Sequence, residues 1–556
     1  MKKPRIDPAL AGALESANGH YRAGRLTEAE NAYRAVLALE AAHADALAQL
    51  GLILHAQGRH QEAADHLAAS VKANPRNAVS WSNYGMVLAA LERHAEALAA
   101  YERALILAPR EPSILANRGN ALTSLGRLTE ALASYDKALS VAPDHINAHY
   151  NRGNALLARR RFAEAIANFD RVLALKPDFM PALNNRGNAK RMSGRHDQAL
   201  DDYRRAARFA PRDPAVLANL GTTLHSLNRH HEALAVLDAA IAASPGHALA
   251  HNNAALVLLQ LGEFRRGWRE YEWRWETPLF APQRRNFTAP QWRGEDIAGR
   301  TILLHAEQGF GDTIQFVRYL PLVAERGARV VIEVPRELAD LVRTVAGEYQ
   351  LTLRGEPPPA FDLHCPLMSL PLAFATELAD IPSAQSTYLA APPDRVAQWR
   401  ERIAEAGRPR IGLAWSGRQG HDNDANRSIA FARLAPLQAA GNRSFVSLQS
   451  EIRDSDRDAV AQSRLIRLSH PFADFADTAA VIAALDAIVT VDTSVAHLAG
   501  ALGKPVFLLL PWACDFRWLL ERTDSPWYAT ARLFRQPAPN DWATAIEEVA
   551  RAIGDL

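Results

Sequence analysis

The stretch VTVDTSVAHLAGALGKPVFLLLP, residues 489 to 511, places a short helical segment between two apolar segments of strand type. Asp492, Thr493 and Ser494 stand where the first strand ends and the helix begins, and His497 follows inside the helix. This order predicts a βαβ unit of a parallel sheet. Open α/β sheets bind ligands at the carboxyl ends of their strands, and a helix start favours an anion such as a diphosphate. The turn is therefore a candidate ligand site, although the same residues would also serve to cap the helix.

Composition and charge indicate an ordinary protein of several domains. The chain has 556 residues, more than one hydrophobic core supports, and its net charge of +2 gives no reason to expect nucleic acid as a partner. Two cysteines, Cys365 and Cys514, provide neither a disulfide framework nor a zinc cluster. No apolar segment of signal-peptide type follows the first lysines, and no apolar run reaches the roughly 18 residues of a membrane span. We therefore expect a cytoplasmic protein without a membrane span.

A unit of 34 residues repeats through the first half of the chain. Four columns keep their register over six copies, and they hold a glycine, an alanine, a large apolar residue and a proline. The glycines are Gly51, Gly85, Gly119, Gly153, Gly187 and Gly221; the alanines begin at Ala63, the large residues at Leu67 and the prolines at Pro75. A weaker copy around Ala29 precedes them and a half copy, Asn253 to Leu261, follows. The pattern resembles the tetratricopeptide repeat, which implies an α-solenoid with a concave groove over residues 10–261.

An asparagine stands two residues before each glycine from the second copy onward. These residues are Asn83, Asn117, Asn151, Asn185, Asn219 and Asn253. The repeat arm of O-linked N-acetylglucosamine transferase is similar in this column. Because a primary amide offers a donor and an acceptor, such a ladder would hold the backbone of an extended peptide in the groove. The alternative is that the amides bond neighbouring helices or simply face solvent.

An aromatic segment, GEFRRGWREYEWRWE, follows the repeats at residues 262–276. Its large side chains, Trp268, Tyr271, Trp273 and Trp275, bury much apolar area wherever they pack. We interpret residues 262–298 as a joint that attaches the solenoid to the next domain, together with the connector, containing prolines and glycines, that completes this range. A site for a substrate or a nucleic acid is the less favoured alternative.

Strands and helices alternate in two blocks after the joint, residues 299–392 and residues 408–556. This alternation predicts two Rossmann-like domains that face a cleft. The predicted elements include a helix over Thr313 to Arg326, strands over Val330 to Val334, Arg410 to Trp415 and Phe445 to Leu448, and a last helix over Trp542 to Ile553 that crosses back onto the first domain.

Two motifs in this half resemble the lipopolysaccharide heptosyltransferases, the glycosyltransferase family 9 group with the GT-B fold. They are AEQGFGDTIQFVRYL, from Ala306, and VDTSVAHLAGALGKPV, from Val491, and the similarity covers roughly residues 299 to 535. The resemblance implies an inverting, metal-independent transfer of a sugar from a nucleotide-diphosphate donor. The acceptor would be a protein or a glycan that the repeats recruit.

The resemblance also implies roles for individual residues. Asp312 would be the base that activates the acceptor hydroxyl, or alternatively the N-cap of a helix from Thr313. By this resemblance, the nucleotide-sugar site would be lined by Asp492, Thr493, Ser494 and His497. Ser416, Gly417 and Gln449, which lie at strand ends that face the same cleft, and the glycines Gly309 and Gly311 are further candidates for this site. Ser494 replaces a glycine of the family.

The family's phosphate-binding lysine is missing, because no lysine lies between Thr301 and Lys504. Arg418 or Arg427 would be a substitute, but a guanidinium is not an equivalent point charge. This departure supports a second hypothesis, a scaffold that has repeats and a nucleotide-binding domain but no catalysis. The Asp-x-Asp sequence at Asp422 is interpreted as a solvated loop, so we expect neither a metal nor a cofactor. The oligomeric state stays open.

Overall fold

The computed structural model describes residues 8–420, 423–439, 443–468 and 472–555. These residues fall into two compact units, Met1–Pro211 and Arg212–Leu556, which are named the repeat unit and the C-terminal unit below. Six successive pairs of helices make up the described part of the repeat unit. The helices are α1 (Pro8–Arg22), α2 (Leu26–Leu39), α3 (Ala44–Ala56), α4 (His60–Ala73), α5 (Ala78–Ala90), α6 (His94–Leu107), α7 (Pro112–Ser124), α8 (Leu128–Val141), α9 (Ile146–Ala158), α10 (Phe162–Leu175), α11 (Met180–Met192) and α12 (His196–Phe209).

The glycine column determines how closely the two helices of a pair approach each other. A Cβ atom at Gly119 would lie 2.4 Å from Cε1 of Tyr135, and one at Gly153 would lie 2.6 Å from Cε1 of Phe169. Both rings are buried, and the hydroxyl of Tyr135 donates to Oδ1 of Asn120 at 2.8 Å. The glycine on the first helix therefore makes room for the large side chain on the second, which explains why both columns share one period.

The C-terminal unit begins with four more helices of the same kind. They are α13 (Pro214–Ser226), α14 (His230–Ala243), α15 (Ala248–Gln260) and the shorter α16 (Phe264–Tyr271). The sequence predicted a half copy at this point, but α16 completes the pair. Ala255, Gly267 and Tyr271 continue the register of 34 residues. Alanine and glycine have exchanged columns in this copy, which hides it from a search for identical residues.

The aromatic side chains of α16 lie in the core of the C-terminal unit. Trp268 is 2% exposed, and its ring centroid lies 6.2 Å from that of Phe316 and 5.9 Å from that of Phe516. Phe264 stacks on Trp527 at 6.1 Å. The last helix pair and the α/β region therefore share one hydrophobic core.

The first α/β region contains a parallel sheet with the strand order β3-β2-β1-β4. In register, Leu304 of the first strand faces Ile332 of the second. The elements are β1 (Thr301–His305), α17 (Phe310–Phe316), α18 (Leu320–Glu325), β2 (Arg329–Val334), α19 (Ala339–Val342), β3 (Tyr349–Leu353), β4 (Leu363–Pro366) and α20 (Leu370–Ala373).

The second α/β region contains a five-stranded parallel sheet with the order β6-β5-β7-β8-β9. Its elements are α21 (Pro393–Arg402), β5 (Arg410–Ala414), α22 (Asp424–Arg427), α23 (Ala435–Ala439), β6 (Ser444–Ser447), α24 (Arg457–Ala461), α25 (Phe475–Ala484), β7 (Ala487–Val491), α26 (Ser494–Ala501), β8 (Val506–Leu510), β9 (Ala531–Arg535) and α27 (Trp542–Ala552). An α-solenoid followed by an α/β region with two parallel sheets confirms the predicted fold class.

Two predicted helices differ from the observed ones. The helix expected over Thr313 to Arg326 is divided into α17, a 3-10 turn over Val317–Tyr319 and α18. Pro321 has no N–H group to continue the first helix, which explains the division. The final helix does not cross back onto the first sheet: α27 packs on β8, β9 and α23, and its side chains Ile546 and Val549 lie in the core of the second sheet.

Candidate functional site

A cavity of about 450 Å³ lies at the carboxyl edge of the second sheet. It is bordered by the ends of β5 and β6 and by the start of α26, and Phe310 and Glu337 of the first α/β region also line it. Five of the residues predicted from the sequence line this cavity: Ser416, Gly417, Gln449, Thr493 and Ser494. Strand ends that are distant in sequence meet here because the strands are parallel.

The turn between β7 and α26 brings a helix start to the cavity. Thr493 is the N-cap residue, the helix begins at Ser494, and both line the cavity together with Val495. The first N–H groups of a helix have no acceptor within the helix, and the helix dipole adds positive potential at this end. This side of the cavity is therefore suited to an anionic group.

Arginines surround the loop that follows β5. Arg418 is exposed and lines the cavity, as does Arg453, whose Nη2 donates to both carboxylate oxygens of Asp424 at 2.7 Å. Arg427 lies behind Gly417, where a Cβ atom would come within 2.7 Å of its Nη2, and it donates to the carbonyl of Asp492 at 2.9 Å. Gly417 therefore permits a close approach of Arg427, and Arg418 supplies an exposed positive charge.

Gln449 has a structural task in addition to its place in the cavity wall. Its Oε1 accepts from the backbone N–H groups of Trp415 and Ser416, at 3.2 and 3.3 Å, and its Nε2 donates to the carbonyl of Ser416 at 3.0 Å. The amide of Gln449 therefore fixes the backbone at the end of β5, which positions the hydroxyl of Ser416.

His497 lies in the interior beside the turn, and it is not among the residues that line the cavity. It is 5% exposed, its Nδ1 lies 3.0 Å from the hydroxyl of Tyr528, and its ring stacks on Trp518 with centroids 5.5 Å apart. Burial, together with the charge of Arg517, holds the pKa of His497 well below its usual value. A Cβ atom at Gly311 would lie 2.8 Å from Cδ2 of this ring. The imidazole is therefore neutral. It packs against the turn that contains Gly311 and lies beside the turn between β7 and α26.

Asp492 lies next to His497, with 4.0 Å between its Oδ1 and the Nε2 of the imidazole. Burial and the charge of Asp515 raise the pKa of Asp492 to about 6, although the charges of Arg517 and Arg427 oppose the shift. Asp492 is likewise not among the residues that line the cavity. Its carboxyl group points away from the cavity, and its backbone carbonyl accepts the hydrogen bond from Arg427.

Asp312 stands in the third position of α17 rather than before the helix. The helix begins at Phe310 with Gly309 as its N-cap, and Oδ2 of Asp312 accepts from the N–H of Gly309 at 2.9 Å. The expectation that Asp312 would be the N-cap was therefore wrong. Its place is the one that an acidic side chain takes in a capping box, where it bonds back to the N-cap backbone.

Arg517, which the sequence analysis did not single out, pairs with Oδ1 of Asp312. The same guanidinium donates to Asp515 at 2.9 Å and to Oε1 of Gln315 at 2.5 Å. Burial opposes its charge, but Asp515 and Asp312 raise the pKa of Arg517 above its usual value. This buried ion pair connects the turn after β1 with the loop after β8. The two partners stand 205 residues apart, and no local pattern marks such a contact.

The asparagine column is partly engaged within the protein. In the repeat unit, Nδ2 of Asn151 donates to Asn120, and that of Asn185 donates to Asn154, both at 2.8 Å. In the C-terminal unit, Nδ2 of Asn253 donates to Thr222 at 2.6 Å. At these positions the amide donors bond the neighbouring repeat, which was the alternative interpretation of the column.

The remaining candidates for charge or metal binding have simple local explanations. Lys504 donates to the carbonyls of Ala483 and Leu485, at 2.9 and 2.7 Å, and so caps the end of α25. Asp422 of the Asp-x-Asp sequence lies outside the described residues. Among the residues that are described, no three His, Cys, Asp or Glu side chains form a group that would hold a metal ion.

Comparison with protein-family models gives two kinds of match. Models of the tetratricopeptide repeat match residues 14–78, 78–111, 119–159, 150–214 and 219–266. The model of glycosyltransferase family 9 (heptosyltransferase) matches residues 464–509, which contain β7, α26 and the turn between them. The chain therefore carries tetratricopeptide repeats and, within its second α/β region, a segment that matches part of glycosyltransferase family 9.

One curated relative and several solved structures are similar to parts of the chain. Protein FlbA of Caulobacter vibrioides is 27% identical over 327 residues, which are 54% of this chain and 54% of FlbA. The match thus spans about half the length of that relative. A tetratricopeptide repeat protein of Parabacteroides merdae is 19% identical over 45% of this chain and all of its own, with a TM-score of 0.38. The TPR protein YrrB is 24% identical over 34% of this chain and 96% of its own, with a TM-score of 0.30.

None of the helices in the described ranges is long and apolar enough to cross a membrane.

Proposed function

We propose that the chain is a glycosyltransferase of the GT-B type that transfers a sugar from a nucleotide-diphosphate donor to a protein or glycan acceptor. The observation that carries the proposal is the cavity of about 450 Å³ at the carboxyl edge of the second sheet. Its size is within the usual range for sites of small molecules. A family 9 match that includes the turn at Thr493 and Ser494 supports the same assignment.

The donor's diphosphate would lie against the start of α26. The free N–H groups of this helix and the charge of Arg418 would stabilise the negative charge that develops on the leaving nucleotide. The hydroxyls of Thr493 and Ser494 add further donors. In this arrangement Arg418 takes the place of the missing lysine.

Asp312 would accept the proton of the acceptor hydroxyl. Both of its carboxylate oxygens already have a partner, Gly309 and Arg517 respectively. A carboxylate offers about four lone-pair sites, so a carboxylate that already has partners is able to accept from a further donor. Phe310 lies in the same turn and lines the cavity, which brings the turn of Asp312 next to the donor.

The repeats would bring the acceptor. Asn117 has no hydrogen bond from its side chain to other described residues, so its amide is a candidate for a peptide backbone, whereas Asn151 bonds Asn120. Asn117→Ala is expected to raise KM for a protein acceptor at unchanged stability. Asn151→Ala is expected to lower the stability by about 1 kcal/mol instead. Equal effects of the two substitutions on KM would contradict this division of roles.

The experiment that tests the function measures release of the nucleotide from UDP-, GDP-, ADP- and CMP-sugars by the purified protein. Turnover of one donor is expected to fall by about 100-fold or more in Asp312→Asn, since a base contributes 10² to 10⁴. Asp296→Asn is the matched control, because Asp296 is an exposed aspartate of the connector that precedes β1. Equal turnover by Asp312→Asn and the control would contradict the role of Asp312.

A scaffold that binds nucleotides without catalysis is the second candidate. It is favoured by the two partners of Asp312 and by the structural task of Lys504, which leaves the second α/β region without a lysine for the phosphates. Binding of a nucleotide without consumption of any of the four donors would support the scaffold and overturn the transferase. A cytoplasmic location follows from either candidate, because both need cytosolic nucleotides.

A further inference from the structure

The loop that follows β8, residues 511–519, is held by side chains from the helices that precede the α/β regions. It is named the β8 loop below. Nδ2 of Asn228 donates to the carbonyl of Trp512 at 2.7 Å, and Nε2 of Gln260 donates to that of Cys514 at 3.2 Å. Asn228 lies between α13 and α14, and Gln260 is the last residue of α15. Both contacts lie within the C-terminal unit, and they join parts of the chain that are 284 and 254 residues apart.

Two further amides hold the β8 loop from the second α/β region. Trp512 donates its N–H to Oε1 of Gln536 at 3.0 Å, and Nδ2 of Asn426 donates to the carbonyl of Ala513 at 2.9 Å. Residues 511–515 belong to no helix or strand, so their backbone groups depend on partners from elsewhere. The conformation of the loop is therefore determined by four amides from four separate parts of the chain.

One residue of the β8 loop has a backbone conformation that a free loop avoids. Leu519 has a φ of 52° and a ψ of −159°, a combination that is unfavourable for a residue with a side chain. Such a residue persists only where its surroundings hold it. Here Nη2 of Arg535 donates to the carbonyl of Trp518 at 2.6 Å, and Nη1 lies 3.0 Å from Sγ of Cys514. The loop is therefore fixed on both sides of Arg517.

Arg517 is the side chain that the β8 loop presents to the first α/β region. Its guanidinium, 6% exposed, pairs with Asp312 and donates to Oε1 of Gln315 at 2.5 Å. Displacement of the β8 loop would move the backbone that carries Arg517 and so separate the cation from Asp312. The backbone of the loop thus determines whether this carboxylate stands beside its counter-charge.

A histidine sets the orientation of the Gln260 amide. Nε2 of His225 lies 2.7 Å from Oε1 of Gln260. An amide oxygen only accepts, so His225 carries its proton on Nε2 and donates. Rotation of the amide by half a turn would place its oxygen against the carbonyl of Cys514, which is also an acceptor. The two neighbours therefore leave one arrangement, in which the NH2 group of Gln260 faces the β8 loop.

From these contacts we propose that Gln260 and Asn228 are positioning residues of the transferase, which keep Arg517 beside Asp312 by holding the β8 loop. The last helices of repeat type thus belong to the machinery of the reaction, in addition to any partner that they bind. The catalytic half of this proposal rests on the proposed function. The holding of the loop does not, so it is tested separately.

The first test measures opening of the β8 loop and needs no substrate. Cys514, on the loop, is 9% exposed, and the other cysteine, Cys365, is completely buried. The rate at which N-ethylmaleimide modifies Cys514 in the folded full chain, followed by mass spectrometry, therefore reports how often the loop opens. Gln260→Met removes the amide at nearly unchanged length, which leaves the carbonyl of Cys514 without its donor. Labelling is expected to become about tenfold faster.

A second variant excludes a direct effect on the thiol, because Nε2 of Gln260 also lies 3.6 Å from Sγ of Cys514. Asn228→Gly removes the other amide donor, and a glycine adopts the φ of 56° at this position without strain. It should likewise accelerate labelling by about tenfold. Asn253→Ala is the matched control and should keep the wild-type rate, since its amide is also buried and on α15 but donates to Thr222.

The second test measures release of the nucleotide by both variants from the donor that the wild type consumes. We expect kcat to fall by about tenfold or more, because small displacements at a reacting site cost up to about 10²-fold. The Kd of the nucleotide should stay that of the wild type, since neither Gln260 nor Asn228 is among the residues that line the donor cavity. General damage to the fold would instead weaken nucleotide binding as much as it lowers kcat, and that result would overturn the positioning role.

The labelling and turnover results together decide the proposal. Labelling of Cys514 at the control rate in both variants would overturn it, because the amides would then not hold the loop. Faster labelling at an unchanged kcat would overturn the catalytic role of Gln260 and Asn228. If the wild type consumes no donor, the proposed function fails together with that role, and labelling alone decides whether the amides hold the β8 loop.

Discussion

Residues near the turn of β7 and α26 show how charge is arranged beneath the cavity. Asp492, Asp515 and Asp312 gather around the single guanidinium of Arg517, and His497 stays neutral beside them. Burial of charged groups is costly unless they are paired. The site therefore depends on Arg517 as much as on the residues that the family motifs contain.

Asp492 should make stability depend on pH. Because its pKa is raised to about 6 on folding, the folded protein binds this proton more readily than the unfolded chain. Its contribution to the free energy of unfolding therefore falls as the pH rises from about 4 to about 6. Asp492→Asn removes this contribution. As the pH rises from 4 to 7, the free energy of unfolding of the variant should therefore increase relative to that of the wild type by on the order of 2 kcal/mol.

Urea unfolding of both proteins at several pH values measures the difference. Taking the difference between the two proteins cancels the titration of the groups that do not interact with Asp492. A difference that does not change between pH 4 and pH 7 would show that the carboxyl group is not shifted.

Arg517 should be far more important for stability than an arginine at the surface. Arg517→Gln leaves Asp312 and Asp515 without their buried counter-charge, which is expected to cost about 3–5 kcal/mol. Arg522→Gln is the control, since its pair with Asp524 is exposed and worth less than about 1 kcal/mol. Chemical denaturation of the two variants gives the comparison. A loss at Arg517 no larger than at Arg522 would refute the buried network.

The helix pairs of the repeats depend on how a glycine on the first helix fits against an aromatic ring on the second. Gly119→Ala places a Cβ atom 2.4 Å from Tyr135, whose hydroxyl is held by Asn120. The overpacking should lower the free energy of unfolding of the repeat unit by about 1–3 kcal/mol and should lower its melting temperature in calorimetry. Gly19→Ala, in α1, has no atom within 4 Å of the new methyl group, so it should be neutral or slightly stabilising. Equal melting temperatures of the two variants would show that the ring of Tyr135 does not require a glycine at position 119.

The sequence predicts elements best where their pattern is local. The period of 34 residues gives the helix pairs, and the strands are found within a residue or two of their observed ends. The prediction of one helix over Thr313 to Arg326 was wrong because Pro321 interrupts it, and this effect of a proline can be recognised in the sequence. Arg517 was missed for a different reason: its partner is brought near by the fold alone, and arginine is too common to stand out. The packing of α27 was missed because an amphipathic pattern does not identify the surface that it covers.

At the scale of the whole molecule, the C-terminal unit includes more than the α/β region. Three buried aromatic residues of α16, Phe264, Trp268 and Tyr271, belong to its core. Burial of three such side chains contributes roughly 5–9 kcal/mol, which is comparable with the total stability of a domain. The last helix pairs are thus part of the folded unit and not an appended arm.

Truncation tests this conclusion. A chain that begins at Arg212 should unfold cooperatively, whereas a chain that begins at Thr277 lacks the three aromatic residues and should be loosely packed or aggregated. Near-ultraviolet circular dichroism during thermal melting distinguishes the two. A cooperative transition of the shorter chain at the same temperature would show that the aromatic segment is dispensable.

The central claim, that the turn at Thr493 and Ser494 binds a nucleotide, is tested most directly by calorimetric titration with ADP, UDP, GDP and CMP. Saturable binding of one nucleotide is predicted, weakened by about tenfold, or roughly 1.4 kcal/mol, in Arg418→Gln and unchanged in the exposed control Arg551→Gln. Ser494→Ala, which removes a hydroxyl from the cavity wall, should weaken it as well, unlike Ser386→Ala. If no nucleotide binds the folded protein, or if Arg418→Gln binds it as tightly as the control does, the cavity is not a nucleotide site.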